Sequence, residues 1–160
     1  MPKAKEIREL LRARVRDGRF RMADVDPDST PGLKGGHRRA VRDIKKHQDE
    51  LFEWHQRLYA ERKRSLLVVL QAMDTGGKDG TVTHVVRNFN PQGVMITAFK
   101  APTPEETRRG FLWRIRKRMP IPGDIGIFNR SHYEDVLIAR VHSLAPPEVI
   151  ERRYSQINYF

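Results

Sequence analysis

The side chains best suited to chemistry crowd into one short stretch, Gln71-Ala72-Met73-Asp74-Thr75-Gly76-Gly77-Lys78-Asp79-Gly80-Thr81. Glycines let backbone N–H groups approach an anion closely, and a lysine beside them supplies a mobile cation, so the stretch reads as a phosphate cradle. The usual spacing is Gly-x4-Gly-Lys-Ser/Thr. Gly77-Lys78 fits it, whereas Ala72 stands at the first glycine and Asp79 at the hydroxyl position. A plain tight turn would account for Gly76-Gly77 but has no need of Lys-Asp-Gly behind it. Asp74 is the unusual member. A carboxylate beside bound phosphate is repulsive unless a divalent cation lies between them or the carboxylate handles a proton, which makes Asp74 a candidate Mg2+ ligand or base.

A second constellation, Asn129-Arg130-Ser131-His132-Tyr133-Glu134-Asp135, follows the apolar run Ile125-Gly126-Ile127-Phe128 directly. Arg130 is placed in sequence to neutralise a transferring phosphoryl group. Where many phosphate-loop enzymes carry a metal-holding aspartate, Asn129 stands at the strand end, and the nearest carboxylates are Glu134 and Asp135. A helix start with surface charges is the plainer explanation of this segment. The six histidines show no metal-ligand spacing, so His132 is expected to hydrogen-bond structurally, and Ser131 to cap a helix rather than attack a substrate.

The elements that must position these groups alternate. Ser65–Leu70 reads as a buried strand, and Val82, Val85, Val86 and Phe89 as one face of a helix running to Phe89. Val94–Phe99 is a second strand. Thr103-Pro104-Glu105-Glu106 opens a helix with a threonine cap, proline at the first position and glutamate three after the cap; that helix is expected to carry Phe111, Leu112, Ile115 and Met119. Ile125–Phe128 is the third strand, and Pro146-Pro147-Glu148 opens the last helix. Strand and helix in alternation predict an α/β fold, a parallel sheet with helices on both faces. Ligands then bind outside the carboxyl ends of the strands, where both constellations fall.

Upstream, residues 3–17 read as a helix stopped by Gly18, residues 21–37 as a turn series, and Arg38–Lys63 as a long helix. Asp24, Asp26 and Asp28 mimic the start of a calcium loop, but Pro27 and Gly35 at the twelfth position argue against one. Gln48 and His55 interrupt the apolar seam of the long helix, so it is expected to pack on the sheet rather than in a coiled coil. The organisation expected is one domain, with an N-terminal helical segment over 1–64 packing on an α/β core over 65–160. The chain stops inside the apolar pattern Ile157-Asn158-Tyr159-Phe160, and a three-stranded sheet is thin, so a C-terminally truncated fold is expected.

Composition narrows the partner. Lys and Arg number 31 against 20 acidic residues, a net charge of +11, and an excess of that size favours a polyanion. Nucleic acid is the less favoured polyanion, because the 8 % of aromatic residues are not interleaved with the basic runs as a base-stacking surface would be. There is no cysteine, no signal-like N-terminus and no run approaching about 18 apolar residues, so a soluble cytoplasmic protein without membrane contact is expected.

Five blocks, in order, resemble the polyphosphate kinase 2 family. They are Leu70 to Asp74 with Gly77 to Thr81, Asn90-Pro91-Gln92-Gly93, Phe99-Lys100-Ala101-Pro102-Thr103, Phe111-Leu112-Trp113-Arg114, and Ile127 to Leu137. The resemblance implies a P-loop kinase-like fold and Mg2+-dependent phosphoryl transfer between inorganic polyphosphate and nucleotides, with a homo-oligomer left open. It implies catalytic Asp74, Lys78, Asn129, Arg130 and Glu134, and phosphate-binding Gly76, Gly77, Asp79, Gly80, Thr81, Lys100 and Arg114. It places Mg2+ on Asp74 and Glu134. The Asn-Arg-Ser-His-Tyr-Glu-Asp version is similar to the subgroup acting on nucleoside mono- and diphosphates, with Glu134 as the displaced carboxylate. Arg109-Gly110 departs from the His-Asp common in the family. An inactive polyanion-binding remnant and an ATP-dependent small-molecule kinase are the alternatives.

Overall fold

The computed structural model describes residues 4–11, 20–26, 28–32 and 35–160. Two compact units run over Met1–His47 and Gln48–Phe160. In the first, helix α1 covers Ala4–Leu11, while residues 12–17 and the expected stop at Gly18 lie outside the described residues. A 3-10 turn at Met22–Asp24 is closed by Arg21, which grips the Asp24 carboxylate at 3.2 and 3.1 Å. The Asp26 side chain accepts from the Asp28 backbone N–H at 2.9 Å, so these aspartates shape turns. Helix α2 covers Gly36–Glu61, beginning in this unit and ending in the second.

The second unit is built on three parallel strands, β1 (Leu66–Leu70), β2 (Val94–Ala98) and β3 (Ile125–Asn129), in the order β1-β3-β2. The central strand has the most continuous apolar run and is buried from Ile125 to Phe128, as a strand covered on both faces must be. Its alternation divides the core. Ile125 and Ile127 pack with Val86, Val68 and Val82 on one face, and Leu58 of α2 joins them. Phe128 packs with Phe99, Leu112 and Ile115 on the other, meeting the Phe99 ring edge-on at 4.9 Å between centroids. Helix α6 (Glu134–Val141) is tied to α7 (Pro147–Tyr159) through Val136, Ala139 and Ile150.

Gln48 and His55, the polar residues of the α2 seam, are both hydrogen-bonded. Gln48 donates to the Asn88 side chain at 2.9 Å. Buried His55 accepts the Asn90 backbone N–H at Nδ1 (3.1 Å), which places its proton on Nε2, where it donates to the Gly93 carbonyl at 3.2 Å. The two side chains pin α2 to the connection that enters β2.

Two helices differ from expectation. Helix α3, from Lys78, ends at His84 rather than Phe89 and gives way to a 3-10 turn at Val86–Asn88. The Asn88 side chain donates to the His84 carbonyl at 2.9 Å, satisfying the helix end there. The helix opened by Thr103 has the full capping box, Thr103 accepting from the Glu106 backbone and Glu106 from that of Thr103. It nevertheless covers only Pro104–Arg108 (α4), and a separate turn, α5, covers Trp113–Arg116. Arg109 is extended and Gly110 weakens any continuation, which lets Phe111 and Leu112 turn into the core. No helix among the described residues is long and apolar enough to cross a membrane.

Candidate active site

Parallel register brings the strand ends level: Leu70 pairs with Asn129, and Asn129 with Ala98. The pairing continues one step, with Arg130 N–H donating to Leu70 O and Phe99 N–H to Asn129 O, both at 3.0 Å. Three loops therefore leave the sheet side by side, and the two constellations and Lys100 meet at its carboxyl edge.

The glycine loop is held from within. Gly77 is left-handed at φ +80°, and a Cβ on Gly76 would fall 2.7 Å from the Ala72 Cβ, so both positions need glycine. Lys78 is 9 % exposed, and its ammonium donates to the carbonyls of Ala72 and Met73, each at 2.7 Å. Thr75 and Arg130 also sit at positive φ, +68° and +64°. Strained non-glycine residues of this kind cluster where a loop must aim a side chain. Arg130 reaches the Asp74 carboxylate at 2.5 Å, across the mouth of the loop. Asn129 donates to Asp79 at 2.8 Å.

These residues line a hollow of about 550 Å3: Asp74, Gly76, Gly77, Lys78, Asp79 and Gly80 on one side, Lys100, Asn129 and Arg130 on the other. A second cavity, of about 440 Å3, adjoins it. Phe99, Lys100, Ala101 and Arg130 belong to both walls, while Glu134, Asp135, Arg114 and Arg153 belong to the second alone, with apolar Phe111 and Ile138. Asp74 and Glu134, expected to share a metal, thus lie on different walls, one in each hollow, with Arg130 common to both. Thr81 lines neither; its hydroxyl donates to the Gly77 carbonyl at 3.1 Å. Arg114 is buried, donating to the Lys100 carbonyl at 2.7 Å and facing Asp135 at 3.6 Å.

Burial pushes the Asp135 carboxyl above its usual value, outweighing the opposing pull of Arg114 and Arg153. Arg153 donates to the Asp135 backbone carbonyl at 2.6 Å, and among the described residues no donor reaches the carboxylate oxygen Oδ2 within hydrogen-bonding distance. His132 is buried against Tyr133 and Phe160, and its Nδ1 has no hydrogen-bond partner among the described residues. The hydrogen bond expected of His132 is therefore missing at that nitrogen, and the ring acts by packing; burial lowers its pKa. Ser131, fully buried, accepts from the Tyr133 N–H at 3.2 Å, a turn role close to the cap expected of it.

Sequence reasoning passed over Gln71, which accepts from Ser131 and donates to Glu134, and Arg153, which arrives from the distant helix α7. A polar residue immediately after a buried strand and beside a phosphate loop was the available signal for Gln71.

Among the described residues no group of three or more histidine or carboxylate side chains forms a metal cage. Mg2+ needs none: it is commonly held by one or two carboxylates, with water and substrate phosphate completing the shell. The Asp74 side chain, 83 % exposed at the hollow, and Asp79 on the same wall offer hard oxygen donors of that kind.

The family model for polyphosphate kinase 2 matches residues 36–160. An AMP/ADP-polyphosphate phosphotransferase from Meiothermus ruber is 45 % identical over 144 residues, covering 90 % of this chain and 54 % of that protein. An ADP-polyphosphate phosphotransferase from Rhodopseudomonas palustris is 44 % identical over 103 residues, 64 % of this chain and 34 % of its own. The crystal structure of polyphosphate kinase 2 from Arthrobacter aurescens superposes with a TM-score of 0.86 at 50 % identity, covering 92 % of this chain and 53 % of that one. The chain thus spans about half the length of the Meiothermus and Arthrobacter proteins.

Proposed function

The chain belongs to the polyphosphate kinase 2 family, and from that premise we propose that it transfers phosphoryl groups between inorganic polyphosphate and nucleoside mono- and diphosphates. The observation that carries this reading is the pair of adjoining hollows with Lys100 and Arg130 in their common wall. Two phosphate-bearing substrates must meet end to end, and a cation at the meeting point neutralises the group that passes between them. Such a transfer asks little covalent chemistry of the protein; positioning and charge neutralisation do most of the work.

In this reading the polyphosphate end lies in the glycine-loop hollow, against the loop N–H groups, Lys78 and Arg130. The nucleotide takes the second cavity, whose mixture of Phe99, Phe111 and Ile138 with basic side chains suits a nucleoside carrying phosphate. Arg130 exchanges its contact with Asp74 for the transferring group. Asp74, with Asp79 or Glu134, would hold Mg2+, which when bound offsets phosphate charge and orients the reacting oxygens. We place the reaction in the cytoplasm, where nucleotides are abundant.

The test is product formation from AMP and ADP with polyphosphate and Mg2+, followed by phosphorus NMR. The same assay with ATP as donor and no polyphosphate separates the reading from an ATP-dependent small-molecule kinase. Polyphosphate-dependent ADP and ATP formation supports the proposal. Nucleotide products from ATP with no polyphosphate formed or consumed, or no product with either donor, overturn it.

A further inference from the structure

We propose that Gln71 is a positioning residue for phosphoryl transfer, holding one oxygen of the Glu134 carboxylate so that the other is presented to the nucleotide cavity. The inference rests on the phosphotransfer reading given above. Its basis is a chain of hydrogen bonds with one consistent direction. Ser131 is completely buried, so its hydroxyl proton must find a protein acceptor, and it donates to Gln71 Oε1 at 3.1 Å. The Tyr133 backbone N–H occupies the hydroxyl oxygen from the other side at 3.2 Å. With Oε1 so engaged, the Gln71 amide has one orientation, and its NH2 group donates to Glu134 Oε1. An amide nitrogen can only donate, so the contact fixes which Glu134 oxygen accepts and holds the rotation of the carboxyl group.

The three residues come from two segments that follow neighbouring strands. Gln71 leaves β1, Ser131 follows β3, and Glu134 is the first residue of α6. Their meeting depends on the register that sets Leu70 beside Asn129, and it gives Glu134 a fixed seat on a half-exposed helix start. Glu134 lines the second cavity and Gln71 lines neither hollow, so Gln71 acts through Glu134 and touches no substrate. Supporting side chains of this sort hold a reacting group within the narrow tolerance that transfer demands.

The experiment is a double-mutant cycle on the full chain with Gln71→Met, which keeps the volume and removes both the donor to Glu134 and the acceptor of Ser131, and Glu134→Asp, which keeps the charge and withdraws it from reach. Gln71→Met is expected to lower kcat/KM for ADP about 10- to 100-fold, with KM for polyphosphate unchanged and a lower melting temperature, because the buried Ser131 hydroxyl loses its acceptor. Added to Glu134→Asp it is expected to have no further effect on kcat/KM. Losses that multiply, or a rise in the polyphosphate KM as large as the loss in kcat/KM for ADP, would show a structural role and overturn the proposal. If Gln71→Met does not fold, Gln71→Glu preserves the Ser131 acceptor and faces Glu134 with an acceptor instead of a donor; the same loss is expected, and normal kcat/KM overturns the proposal. A wild-type chain without turnover defeats the phosphotransfer reading instead. The cycle is then read from calorimetric ADP affinity, where coupling between the two positions supports the seat and additivity refutes it.

Discussion

Asn129 donates its side-chain amide to the carboxylate of Asp79 at 2.8 Å, joining the end of the central strand to the first turn of α3. In the usual phosphate-loop arrangement the position after the lysine carries a neutral hydroxyl and the strand-end region an aspartate. Here the charge has changed sides, and the hydrogen bond between the two positions explains how the exchange is tolerated. Asn129→Asp would set two carboxylates against each other. Because Asp79 is solvent-exposed, the cost should stay under about 1 kcal/mol. The expected outcome is a lower melting temperature at pH 7.5 than the wild type, recovered at pH 4 or on adding Mg2+. A variant whose melting is unchanged at every pH would mean that Asn129 and Asp79 are not in contact.

Lys78 has two tasks that substitution can separate. In the free protein its ammonium closes the loop on the Ala72 and Met73 carbonyls. During transfer it would turn toward phosphate. Lys78→Ala should therefore reduce turnover by about 10²-fold or more, the scale of removing one charge-stabilising contact. Lys78→Arg keeps the charge but spreads it over a larger planar group that cannot fit the same two carbonyls, so it should remain well below wild type. Normal turnover in a folded Lys78→Ala protein would remove the glycine loop from the reaction.

The order of strands and helices was legible because each apolar run is short and bounded by turn residues, and because Thr103, Pro104 and Glu106 spell a helix start. The two helix ends that departed from expectation were hidden by their causes: a side chain, Asn88, reaching back to His84, and the inward turn of Phe111 and Leu112 after Gly110. Neither is a periodicity. In the site, the glycine loop and Arg130 could be read from residue type and position. Gln71 could not be connected with Ser131 and Glu134 in advance, because the pairing of β1 with β3 brings together side chains 60 and 63 positions apart in sequence. The separation of Asp74 from Glu134 onto two walls has the same origin.

Asp74 offers a way to divide metal binding from polyanion binding. Its carboxylate faces Arg130 at 2.5 Å and is otherwise open to solvent. Asp74→Asn removes a negative charge from the hollow and leaves Arg130 free, so salt-sensitive binding of polyphosphate should be equal to or tighter than wild type. Turnover should be lost, because the side chain proposed to bring Mg2+ to the phosphates is gone. Measuring polyphosphate affinity at two salt concentrations alongside activity checks both halves. Parallel loss of affinity and activity in a folded variant would assign Asp74 a structural role.

His132 makes a prediction about stability and pH. Burial lowers its pKa in the folded protein, whereas in the unfolded chain it titrates near about 6.5. Between those two values the unfolded chain binds more protons than the folded one, so stability falls as pH drops below about 6.5 and levels off once the folded ring is protonated as well. Replacing the ring with an apolar one of similar shape removes this term and keeps the packing against Tyr133 and Phe160. His132→Phe should therefore melt close to wild type at pH 8 and above it at pH 5.5, the gap opening as pH falls through 6.5. Taking the difference between the two proteins cancels the titration of other groups, including Asp135, whose raised pKa acts in the opposite direction above about 3.9. A gap that is constant from pH 8 to pH 5.5 would mean that the ring is protonated in the folded protein as readily as in the unfolded chain, and that its burial imposes no penalty on the charge.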